Sequence, residues 1–219
     1  MKDRQKTKKQ MDMLHGSLWD KLLIVALPLA ASSILQQLFN SADVAVVGRF
    51  ASSNALAAVG GNSAVINLLI NLFVGLSVGA NVVIANYIGQ GKRERLKQVV
   101  QTVMLLAVAC GLLMTIAGIA AARPVLELIR TPDNILDQAM LYLRIYMIGM
   151  PFIMIYNFGA AILRSIGDTK RPLFCLIVSG VINVILNLVL VIVFRLDVAG
   201  VAIATVVSNI VSSGIVVFI

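Results

Sequence analysis

Asp43 is the only ionisable side chain between Leu22 and Gly48, near the far end of the first long apolar run. Gln36, Asn40 and Asp43 stand at i, i+4 and i+7, a spacing that puts them on one face of a helix. Polar side chains recur in later apolar runs: Asn62, Asn67 and Asn71, then Asn183 and Asn187, then Thr205, Ser208 and Asn209. One carboxylate, several amide carbonyls and a hydroxyl form a set of hard oxygen donors able to hold a proton or a sodium ion. Catalytic chemistry finds no such support. The chain has no H-E-x-x-H, no G-x-S-x-G and no second carboxylate at membrane depth, so an enzyme is not expected. "YIGQGKRERLK" carries Gly-x-Gly but no phosphate-binding pattern, and reads as a glycine turn ending a helix before a basic loop.

The elements that must carry these residues follow from composition. Of 219 residues, 59% are hydrophobic and 13% charged, with a mean hydropathy of +0.95. So few charges could not cover so much apolar surface in water, and the class is a polytopic integral membrane protein. Lipid offers the backbone no hydrogen-bond partner, and the chain lacks the alternation of a β-barrel, so the spans are helices. A window of about 20 residues yields six: 18–47, 54–89, 95–122, 136–161, 172–194 and 198–219. The second is too long for one upright crossing and calls for tilt, an amphipathic extension or a bend near Gly75 or Gly79.

Of the 18 basic residues, 13 fall on the loops that share a side with the N-terminus. That bias places the N-terminus in the cytoplasm and accounts for the net charge of +8 through orientation and anionic headgroups, not nucleic acid. Residues 1–17 form a basic cytoplasmic segment with His15 at its edge. The head is too long and the first span too extensive for a cleaved signal peptide. Cys110 and Cys175 lie inside apolar runs, where cysteine behaves as a small hydrophobe. No basic tail follows the sixth span, as expected for a piece of something longer.

Depth can be counted along each helix. Asp43 lies about 9 Å before Arg49, Asn187 about 12 Å before Arg195, and Thr205 about 8 Å beyond Gly200. Residues from the first, fifth and sixth spans therefore share a layer in the outer half of the membrane. The competing readings are plain: Asp43 as an acid at a helix end meeting water, and the hydroxyls and amides as glue between helices. Pro28 removes a backbone bond and permits a bend in the first span. The fourth span, rich in Met and Tyr around Gly149 and Pro151, offers either packing or an adaptable ligand wall. Gln36, Asn40, Tyr146, Met150 and Met154 are the candidates for lining a cavity.

Four stretches, in order, resemble one family. "LPLAASSILQQLFNSADVAVVGRFASSNALAAVG", "GLSVGANVVIANYIGQGKRE", "AILRSIGDTKRPL" and "DVAGVAIATVVSN" are similar to the multidrug and toxic compound extrusion (MATE) transporters, closest in flavour to the bacterial DinF-like branch. The resemblance implies an all-α protein of twelve helices in two six-helix lobes, of which residues 18–219 supply the N-terminal one. It implies secondary active export of cationic or amphipathic compounds in exchange for H+ or Na+ by alternating access, with no cofactor. The location implied is the bacterial inner membrane, with a second lobe completing the cavity. Matched position by position, the coupling-cation site is Asp43, Asn183, Asn187 and Thr205, where Na+ would also sit, and Pro28 is the bend of helix 1. Asn187 departs from members that carry a second aspartate there, which leaves one titratable group. A lipid-linked oligosaccharide flippase of the wider superfamily is the alternative, and a non-transporting scaffold a third. The flippase would need basic residues lining the cavity, and the sequence suggests none at membrane depth.

Overall fold

A computed structural model describes residues 18–91 and 93–219; the basic segment 1–17 lies outside the described residues. The first element, α1 (Leu18–Phe50), is 33 residues and so about 50 Å long. It passes Pro28 without interruption. There the Ser32 hydroxyl donates to the Pro28 carbonyl at 2.8 Å. After a two-residue link, α2 (Ser53–Gly89) starts on the Ser52 side chain, which accepts from the Ala55 N–H at 3.1 Å. Its 37 residues run as one helix through Gly75 and Gly79, with no break there. A helix of about 55 Å overshoots a hydrocarbon core of about 30 Å, so tilt or overhang takes up the excess.

The third helix, α3 (Arg93–Leu128), leads to a division the hydropathy window did not resolve. The span expected at 136–161 is two helices, α4 (Asp133–Ile148) and α5 (Met150–Ser165), bent by 48° at Gly149. The cause is local chemistry. Pro151 has no N–H, so the Met147 carbonyl loses its partner four residues on. The Thr115 hydroxyl of α3 donates to that carbonyl at 2.7 Å. Two glycines of α3 make room for the bend: a Cβ at Gly111 would run into the Pro151 backbone, and one at Gly118 into the Met147 side chain.

This predicts a contrast between glycines. Gly111→Ala should lower the thermal unfolding midpoint of the detergent-solubilised protein, at a cost of about 1–3 kcal/mol for overpacking against backbone. Gly75→Ala, which meets only open space, should leave it unchanged. Equal midpoints for the two variants would refute the fit of α3 into the bend.

The chain closes with a helical hairpin. α6 (Lys170–Leu188) runs into a π-helical turn, Val189–Val193. Arg195 and Asp197 then take left-handed backbone angles, with φ of 53° and 42°, and α7 (Asp197–Phe218) returns. Helix α7 packs against α4, α5 and α6, while α1 leans chiefly on α6. At that contact Phe39 covers Gly180 so closely that a Cβ there would overlap its ring. Leu126, Leu143, Met147, Met150, Met154 and Phe158, from α3, α4 and α5, are among the fully buried side chains. Leucines such as Leu68, Leu105 and Leu113 point outward, as a lipid-facing surface requires.

Among the described residues, α2, α3, α7 and α6 with its π turn are each long and apolar enough to cross a membrane. The bent pair α4–α5 meets the same test when taken as one span.

Candidate functional site

The polar residues of α1, α6 and α7 meet in one connected chain. The Nδ2 of Asn187 donates to the Asp43 carboxylate and also to Asn183 Oδ1, at 3.1 Å in the second case. Asn183 in turn donates from Nδ2 toward Thr205 Oγ1 at 3.4 Å and Ser208 Oγ at 3.5 Å. Helical spacing explains the relay: Asn183 and Asn187 stand one turn apart on α6, and Thr205 and Ser208 are neighbours on one side of α7. Both α7 hydroxyls donate into their own helix, Thr205 to the Val201 carbonyl and Ser208 to the Thr205 carbonyl. Their oxygens are therefore free to face α6 as acceptors. This hydrogen-bond chain contains the three residues of the counted depth layer, Asp43, Asn187 and Thr205, together with Asn183 and Ser208.

Asn187 is fully buried, with 0% exposure, and its Oδ1 has no partner among the described residues. A buried amide oxygen without a donor costs about 1–3 kcal/mol, and such an atom calls for explanation. It lies on the side chain whose amide already binds Asp43. A donated proton or a small hard cation would satisfy this oxygen. The donor set fits a monovalent hard ion: one carboxylate, amide oxygens and hydroxyl oxygens, without sulfur or imidazole.

Asp43 faces open space on its other side. It lines a cavity of about 380 Å³ together with Asn40, Ser63, Asn67, Tyr142, Tyr146 and Thr205. It also lines a larger cavity of about 630 Å³ that runs along α1 from Leu29 to Asp43. The carboxylate thus stands where the two cavities join, backed by Asn187. It is half-buried and hydrogen-bonded two turns before the end of α1, unlike an acid simply meeting water at a helix terminus.

Among the candidates for cavity lining, Gln36, Asn40 and Tyr146 face the larger cavity. Met150 and Met154 do not. Both are 0% exposed and pack in the core, because the bend at Gly149 turns that stretch of α5 inward against its neighbours. Pro28 lies in α1 beside the cavity-lining Leu29 but lines neither cavity.

Several cavity residues escaped the sequence reading. Tyr142 sits one turn before Tyr146, with ring centroids 6.0 Å apart, and lines the smaller cavity beside Asp43. The four-residue spacing in "LYLRIYM" was the available signal. Arg164, beyond the span expected at 136–161, also lines the larger cavity. Hydropathy falls at a charged residue and so ends the expected span early, although α5 continues to Ser165.

The fold and the site define an all-α membrane protein whose helices enclose a polar cavity with an acid in its wall. The MatE family model matches residues 28–189, and the chain belongs to that family, the MATE transporters. The probable multidrug resistance protein YoeA of Bacillus subtilis is 33% identical over 198 residues, covering 89% of this chain and 43% of that protein. YpnP of the same organism, also described as a probable multidrug resistance protein, is 26% identical over 92% of this chain and 45% of its own length. A crystal structure of MATE in the bent conformation superposes with a TM-score of 0.89 at 27% identity, covering 97% of this chain and 47% of that one. The chain spans less than half the length of the curated relatives it matches. It corresponds to one lobe of the MATE fold.

Proposed function

We propose that this chain is the N-terminal, ion-coupling lobe of a secondary multidrug efflux antiporter of the bacterial inner membrane, with its N-terminus in the cytoplasm. The substrates are cationic or amphipathic compounds, exported in exchange for H+ or Na+ by alternating access, and a second lobe completes the cavity. The observation that carries this reading is the Asp43 carboxylate at the cavity junction, bonded to a buried Asn187 whose other polar atom lacks a partner.

In this mechanism the coupling cation binds at Asp43, while Asn183, Asn187 and Thr205 orient or share it. An ion can shift a conformational equilibrium only by its differential affinity for the two states. The Asp43–Asn187 bond spans α1 and α6, so neutralising or coordinating the carboxylate changes how α1 docks there. Pro28, about 22 Å away along α1, is where the helix can yield, since its missing N–H weakens the ladder. A change of α1 alters the cavity wall that it forms, and drug is released outward.

The test uses the protein expressed from its complete gene, purified and reconstituted in proteoliposomes. Imposing an inward proton gradient, or separately an inward sodium gradient, should drive uphill movement of a fluorescent cationic dye. Collapse of the effective gradient should stop it. Dye flux indifferent to both gradients would overturn the antiporter reading, and the gradient that works identifies the ion.

A further inference from the structure

The larger cavity is lined by two charged residues only among those described, Asp43 and Arg164. They belong to opposite ends of it. Asp43 lies near the C-terminal end of α1, and Arg164 near the C-terminal end of the α4–α5 span. Successive spans alternate direction, so an odd and an even span end on opposite membrane faces. Along α1 the lining runs from Leu29 to Asp43, about 21 Å, so the cavity is long as well as polar.

The Arg164 side chain is half-buried. Its Nε is buried without a hydrogen bond among the described residues. The carboxylate one turn further along, Asp168, is engaged elsewhere: Arg171 Nε approaches it at 3.0 Å, and the Arg171 backbone N–H donates to it at 3.2 Å. Ile153, Asn157 and Arg164 lie on one face of α5 at spacings of four and seven, and all three line the cavity. The Asn157 amide donates to the Ile153 carbonyl at 2.9 Å, which leaves its carbonyl end toward the cavity. A cationic fork, an amide and an apolar side chain therefore follow one another up a single wall.

We propose that Arg164 forms an anion-recognition subsite of the larger cavity, seating a carboxylate or phosphate group at the end remote from Asp43. A guanidinium is always charged and binds such groups through two parallel N–H bonds. With its Nε buried and without a partner among the described residues, it favours a ligand that brings an acceptor and the opposite charge. The cavity as a whole then suits a molecule with an apolar body and an acidic group on Arg164. This rests on the cavity being the substrate path, but its test is binding alone and does not depend on ion coupling.

The probes are a rhodamine dye with a free carboxylate and its methyl ester, which keep one cationic ring system and differ in one negative charge. Binding to the full-length purified protein is followed by fluorescence anisotropy. The wild type should bind the acid more tightly than the ester. Arg164→Gln should weaken the acid about 10- to 100-fold and leave the ester unchanged. Arg164→Lys, which keeps the charge without the fork, should retain part of the preference. Equal binding of acid and ester by the wild type, or equal weakening of both by Arg164→Gln, overturns the subsite. Should Arg164→Gln not fold, the wild-type acid-to-ester ratio decides alone, a ratio of one being the refuting result.

A lipid phosphate shares this chemistry, so phosphatidylglycerol is titrated against the bound acid, with phosphatidylcholine as the control. Displacement by the anionic lipid alone assigns the subsite to a headgroup and overturns a substrate anion; no displacement supports the substrate. The acid-to-ester ratio is read without any ion gradient, which separates failure of this proposal from failure of the coupling mechanism.

Discussion

Asp43→Asn is expected to abolish gradient-driven export while the protein still folds and still binds drug. The substitution is nearly isosteric, and its side-chain oxygen can go on accepting from the Asn187 amide. What disappears is the group that can exchange a proton or neutralise a cation. A carboxylate at membrane depth costs about 2.5–3.5 kcal/mol near a helix centre, so removing the charge is not expected to destabilise the fold. The loss should therefore be functional. An ion that binds both conformations equally shifts nothing. Dye uptake into everted vesicles energised by either gradient should fall to the level of vesicles without the protein. Drug affinity in detergent should stay near the wild-type value. Coupled export at the wild-type rate from a well-expressed variant would remove Asp43 from the mechanism.

Asp43 could be singled out from the sequence because membranes make acids conspicuous: one carboxylate in an apolar run leaves few readings. Its neighbours were legible by a simpler route. Counting at a fixed rise per residue placed Asn187 and Thr205 at its depth, and depth is a property that straight helices preserve. The azimuth of each helix was not available from counting. That is why Ser208, which accepts from Asn183 beside Thr205, read as helix glue. The bend at Gly149 shows a second limit. Hydropathy registers whether a stretch belongs in lipid and is silent on whether its backbone ladder is whole. A proline that removes one bond passes through the window, and the consequence depends on a hydroxyl from another helix, Thr115. Met150 and Met154 then turned inward, and a wall expected from composition became core. Arg164 shows the opposite error. A charge that ends an apolar run looks like a loop, although the helix carries it on into the cavity wall.

Asn187→Leu is expected to be nearly as damaging to export as loss of the acid, for a different reason. Leucine has the same branched skeleton as asparagine, though it is bulkier, and it removes both bonds that Asn187 donates. Asn183 Oδ1 then joins the carboxylate in lacking a donor. A hydrogen bond to a charged group is worth about 1.5–3 kcal/mol, so removing the one at Asp43 should shift the ion dependence of export about 10- to 100-fold. The half-saturating concentration of the coupling ion should move by that factor if Asn187 orients the ion, upward for sodium, which loses an oxygen ligand, and downward for a proton, whose carboxylate loses a donor. If Asn187 merely packs, the protein should lose stability with the ion dependence unmoved. The double variant Asp43→Asn with Asn187→Leu separates these outcomes. Residues that act through one site are non-additive, so Asn187→Leu should cost less stability in the Asp43→Asn background than in the wild type. Strictly additive losses in binding and stability would instead mean that Asn187 supports the fold independently of the ion. The comparison matters because Asn187, not a second acid, stands behind Asp43, so any selectivity of this site rests on neutral donors holding one charge.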